Sequence, residues 1–126
     1  MRDVPPIEML GSGTATEDGV TILEEVINHE CAHVFFEVEN TGETNALTDL
    51  AVEVKISKDG NWGLLANTYT ALTGSLLYTS ANVKTLGAGL SAIFAVRTFC
   101  AYAVRVVATT GEGVTTPVTV RGIGYV

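Results

Sequence analysis

Ala32-His33-Val34-Phe35-Phe36-Glu37-Val38-Glu39 decides how this chain is read. Its even positions are all apolar and its odd positions polar, apart from Phe35. Period-two alternation sends successive side chains to opposite faces of an extended backbone, one face buried and one wet. The same period returns in Ala51–Lys58, where Val52, Val54 and Ile56 alternate with Glu53, Lys55 and Ser57. It returns again in Tyr102–Ala108, where Tyr102, Val104, Val106 and Ala108 share a face opposite Ala103 and Arg105. Val118 and Val120 against Thr119 and Arg121 give a last strand, with Pro117 at its start or at an edge.

Turn residues separate these runs. Asn40-Thr41-Gly42, Asp59-Gly60-Asn61 and Gly111-Glu112-Gly113 supply the positive-φ positions that tight connections need. Seven strands are expected, over 19–27, 32–39, 50–58, 74–79, 90–98, 101–109 and 116–122. Short strands at this spacing point to an all-β antiparallel sandwich. Residues 1–15, with Pro5-Pro6 and Gly11-Ser12-Gly13, read as an extended N-terminal arm, which leaves 16–126 as one domain.

The chain has 126 residues, 47% of them hydrophobic and only 17% charged, enough apolar matter for a core and too much for disorder. Its formal net charge of −7 argues against a nucleic-acid partner, which would call for a basic face. The longest uncharged stretch, 60–83, carries too many Asn, Thr and Ser residues to span a membrane, and nothing near Met1 reads as an export signal. Cys31 and Cys100 are too few for a disulfide framework and read as free thiols in a reducing compartment. Parity puts Cys31 on the polar face of its strand with His33, and Cys100 in phase with Tyr102 and Val104, so no bridge between them is expected.

Charge is placed unevenly. Residues 1–60 hold 13 of the 14 acids and sum to −10, while residues 61–126 sum to +3. Either neighbouring strands interleave the two halves and the charge averages out, or the molecule is bipolar with ends that attract one another in an assembly. The charge-poor second half suits a contact surface.

Tyr102–Ala108, the Gly-Glu-Gly turn and Pro117–Val120 resemble the last two strands of a fibronectin-type-III-like domain. Phe36-Glu-Val-Glu-Asn-Thr-Gly42, followed by Val52–Ile56 and Asp59-Gly60, is similar to the adhesion-type modules called CARDB. Together these resemblances imply an immunoglobulin-like β-sandwich, although Trp62 lies too far from Cys31 for the immunoglobulin Cys…Trp…Cys arrangement. In size, fold and composition the chain also resembles the small auxiliary structural proteins of tailed-phage virions, which decorate capsids or sit on tails. That resemblance implies a non-enzymatic virion component. Its partners would be copies of itself and a major shell or tail protein, with no nucleic acid or membrane, and its arm would order on a neighbour.

Three other features bear on chemistry. His29-Glu30-Cys31-Ala32-His33 matches H-E-x-x-H, the zinc-protease motif, in which two histidines on one helix face hold the metal and the glutamate activates water. The strand alternation that begins at Ala32 argues against that helix. On a strand, His29, Cys31 and His33 would instead share one face. Trp62 is read as a core or rim plug, or with Tyr69 and Tyr78 as the wall of a carbohydrate- or protein-binding adhesion site, the alternative function. Gly11-Ser-Gly13 and Gly87-Ala-Gly89 lack a following Lys-Ser/Thr, so no phosphate loop is expected. No catalytic, cofactor-binding or metal-ligating residue is assigned, and no cofactor is expected.

Overall fold

The computed structural model describes residues 5–64, 69–73, 76–79 and 85–125. Among the described residues ten strands form, nine of them longer than two residues: β1 (Ile7–Ala15), β2 (Val20–Val26), β3 (His33–Asn40), β4 (Leu47–Lys55), β5 (Gly63–Leu64), β6 (Tyr69–Thr73), β7 (Leu76–Thr79), β8 (Ser91–Arg97), β9 (Ala103–Thr110) and β10 (Thr116–Tyr125). No helix occurs among the described residues. A six-stranded sheet runs β1-β10-β3-β8-β6-β7 and a four-stranded sheet runs β2-β9-β4-β5, every pairing antiparallel.

The two sheets close on the inward faces that the alternation specifies. Val34, Phe36 and Val38 of β3, Val104, Val106 and Ala108 of β9, and Val118 and Val120 of β10 are all buried. Each buried side chain of this size contributes about 1.5–3 kcal/mol through apolar burial. Phe35, the one break in the alternation of its strand, lies on the opposite, outer face.

The strand order differs from the immunoglobulin one, in which the first two strands share a sheet. Here β1 and β2 lie in different sheets, and β1 pairs along its whole length with β10, from Ile7–Gly124 to Ala15–Thr116. Without the β6–β7 hairpin, the eight remaining strands have the order of a jelly roll, two Greek keys wound together. Alternation fixes which face of a strand is buried, and it carries no information about which strand lies beside which.

Residues 7–15 of the expected arm are therefore a strand of the larger sheet. Met9 and Ala15 point into the core, and Gly11 and Gly13 share their side. A Cβ at Gly11 would collide with the carbonyl oxygen of Ile22, so glycine there lets β1 lie directly against β2. What reads as a linker composition is the requirement of a close backbone crossing.

Two further expectations change. The strand expected over 74–79 lies partly outside the described residues; β7 covers 76–79 of it and pairs antiparallel with β6, a strand not expected. Ile56–Lys58 fall outside β4, which begins earlier, at Leu47.

Candidate functional site on the outer face of the six-stranded sheet

The outer face of the larger sheet is built by the odd positions of β3, β8 and β10 and the even positions of β1. Leu10 is 73% exposed, Ile93 46%, Phe35 43% and Tyr125 43%, and half-buried Ile123 lies among them. The backbone register sets these residues in rows. Leu10, Arg121, Glu37 and Ile93 form one row across β1, β10, β3 and β8; Glu8, Ile123, Phe35 and Ala95 form the next; Tyr125, His33 and Arg97 continue it. Phe35 and Tyr125 meet edge to face with centroids 5.8 Å apart. Contiguous exposed apolar side chains of this kind mark contact surfaces.

Charges interrupt the apolar field, Glu8 and Arg97 toward its edges and one cluster at its centre. Arg121 donates to Glu37 at 2.9 Å and to Glu39 at 3.2 Å, and these hydrogen bonds hold its guanidinium more firmly protonated than usual. Arg121, Gly122 and Ile123 of β10 line two shallow depressions. One of about 390 Å³ is lined by Glu8, Met9, Leu10 and Ile123, and one of about 250 Å³ by Phe35, Glu37, Ile93 and Ile123. Both are open and mostly apolar, a shape that receives side chains of a protein better than it encloses a small molecule.

The interleaving of the chain halves bears on the charge question. Acidic β3 lies between β10 and β8, and acidic β4 beside β9. Glu37 and Glu39 thus meet Arg121, and Glu53 meets Arg105 at 2.7 Å. Three first-half carboxylates are thus paired by two second-half arginines inside one molecule, as interleaving of the halves allows.

The H-E-x-x-H residues do not sit on a helix. Asn28 and His29 adopt positive φ, 47° and 64°. Cys31 lies before β3, which begins at His33, and the chain bends at Ala32 between them; Cys31 is buried, whereas His33 faces out and Cys100 is exposed, the reverse of the parity expected for the two cysteines. Both cysteines are free. His29 Nδ1 bonds the carbonyl oxygen of Cys100 at 2.8 Å. Among the described residues no group of three or more His, Cys, Asp or Glu side chains is placed to hold a metal.

Trp62 lies on the outer face of the four-stranded sheet rather than in the core. Its ring carries the Arg105 guanidinium at 4.4 Å and the Lys55 ammonium at 5.0 Å. Tyr69 and Tyr78 belong to β6 and β7 of the other sheet, and their side chains fall outside the described residues. The three are not brought together on one sheet. The apolar outer face is not legible in the sequence because its members are single outward positions on four strands far apart in the chain. Phe35, out of phase in an otherwise regular strand, was the one available signal.

No family model matches the chain, and no curated protein matches it. Among solved structures it is similar to the SPBc2 prophage-derived protein YomS, at 12% identity over 98% of this chain and 97% of that one, with a TM-score of 0.55. A protein of the Bacillus endospore appendages, described as a family of disulfide-linked pili, is similar over 96% of this chain and 87% of that one, at 12% identity and a TM-score of 0.45. The likeness to YomS is one of fold, and it extends over nearly the whole of both chains.

Proposed function

We propose that this protein is a non-enzymatic structural component of a larger assembly, a tailed-phage virion, in which it decorates the shell or attaches to the tail. The observation that carries the reading is the outer face of the six-stranded sheet, where Leu10, Phe35, Ile93, Ile123 and Tyr125 offer a broad apolar surface with its own ionic anchor. Contiguous exposed apolar patches mark interaction sites. The prophage origin of a protein with the same fold and nearly the same extent supports the virion setting. Jelly rolls also serve lectins and cupins, so the fold alone does not choose between assembly and ligand binding. The expected arm plays no part in this reading, because residues 7–15 are already paired with β10.

The test is the protein content of particles purified from a strain that encodes the chain. Mass spectrometry should find it at many copies per particle, and Phe35→Asp should deplete it without unfolding it. Particles that lack the wild-type chain would overturn the proposal.

A further inference from the structure

The register of the outer face makes it complementary to itself, and we infer that a second copy of this chain packs on it, face to face, about a two-fold axis running between β10 and β3 along the strands. This deepens the reading above and rests on the same face. Such an axis exchanges β10 with the second copy's β3, and β1 with its β8, while each row keeps its level. Arg121 then lies over the second copy's Glu37, Leu10 over its Ile93, and Ile123 over its Phe35, because each of these pairs occupies one row on exchanged strands. Apolar meets apolar and cation meets anion, twice over, as an isologous interface requires.

Charge favours this occupant. The whole chain carries −7, so most pairings of two copies are repulsive. On the face itself the described strands β1, β10, β3 and β8 present Glu8, Glu37 and Glu39 against Arg97 and Arg121, which is nearly neutral. Pairing through this face therefore avoids the repulsion that other orientations meet. Four strands spaced about 4.8 Å apart and eight residues long give a footprint of roughly 19 by 27 Å. That is on the order of 1,000 Å² for the two partners together, the lower bound for a specific interface. Two twisted sheets stacked in this way settle at about −30° to one another, a rotation that a small tilt of the axis accommodates.

Sedimentation equilibrium on the full chain tests the inference. The wild type should dimerise, and Phe35→Asp should raise the dissociation constant about 30-fold or more, as loss of an apolar anchor does. Circular dichroism of this variant should stay unchanged. Arg121→Glu and Glu37→Arg should each associate weakly alone, because each also turns an attractive crossing repulsive. An equimolar mixture of those two variants should associate as well as the wild type, since every crossing between unlike partners is attractive again. A wild-type chain that stays monomeric across the accessible concentrations would overturn the self-pairing. A mixture no better than its components would overturn the two-fold arrangement. A monomeric chain that is nonetheless abundant in purified particles would remove this inference and leave the proposed function standing.

Discussion

The imidazole Nδ1 of His29 donates to the carbonyl oxygen of Cys100 at 2.8 Å and so ties together two crossings between the sheets. One crossing leads from β2 to β3 and the other from β8 to β9. Each contains two consecutive residues at positive φ, Asn28 and His29 in the first, Phe99 and Cys100 in the second. Each closes with a three-residue step, Glu30 N–H to Ile27 O at 2.9 Å and Ala101 N–H to Thr98 O at 3.0 Å. The crossings also bond one another: the Asn28 amide donates to Tyr102 O and the Thr98 hydroxyl to Cys31 O, at 2.8 and 2.7 Å.

Left-handed backbone suits Asn and Gly and costs a bulky residue about 1–2 kcal/mol. Phe99 holds φ of 52° with its ring 62% exposed, so it bears that cost with little packing in return. Phe99→Gly should raise stability by about 1 kcal/mol, read as a higher urea midpoint with an unchanged slope. A lower midpoint would mean that the ring contributes contacts which its exposure does not suggest.

Asn40 is wholly buried, and all of its side-chain hydrogen-bonding groups are used. Its Nδ2 donates to the carbonyls of Asn45 and Leu86 at 2.9 and 3.0 Å. Its Oδ1 accepts from the Gly42 amide at 3.0 Å and the Thr116 hydroxyl at 2.8 Å. Asn40→Ala strands several buried polar groups at once and should cost about 3 kcal/mol or more. Asn40→Asp keeps the acceptor but turns oxygen toward two carbonyls, and it should be no better tolerated. Thermal denaturation of both variants checks this, and a loss under about 1 kcal/mol would show that water takes over the network.

Burial, with smaller contributions from Glu30 and Cys100, pushes the Cys31 thiol above its ordinary range. A folded-state value raised above the unfolded one favours the protonated form, so the contribution is intact below the unfolded value of about 8.5 and is lost as pH rises through the folded value. Stability of the wild type should therefore fall more steeply above that pH than stability of Cys31→Ala. Urea midpoints of both proteins at a series of alkaline pH values make the comparison; parallel curves would show that Cys31 does not contribute.

Trp62 is the single tryptophan, so its emission reports its surroundings alone. With Arg105 and Lys55 against the ring, Arg105→Ala should shift the emission and cost about 1–2 kcal/mol, from the lost cation–π contact and the broken Glu53 pair. Titration with oligosaccharides should leave the emission unchanged. A saturable change would restore the adhesion-module reading.

Much of the architecture is legible in the residues themselves. The inward faces of β3, β9 and β10 follow from Val34-Phe36-Val38, Val104-Val106-Ala108 and Val118-Val120, because alternation reports burial directly. Strand β1 is hidden because its inward positions include Gly11, required by the nearness of β2, and Gly13, and small residues leave no hydrophobic period. Cys31 takes the side opposite to the one its parity predicts because it precedes β3 and the chain bends at Ala32 between it and His33. The apolar outer face depends on register between strands whose separation along the chain reaches a hundred residues, so Phe35 is its one signal in the sequence.

Strand β10 lies between β1 and β3, although it is made after the other nine. On a ribosome, β1 therefore has no sheet partner until Thr116–Tyr125 has emerged, and the larger sheet cannot be completed piece by piece from its N-terminal side. Closing a loop of this length early is entropically costly and yields a high contact order. The molecule should consequently fold late and in one cooperative event. Nascent chains stalled before β10 should remain protease-sensitive throughout, a hazard that favours rapid completion or a chaperone during synthesis.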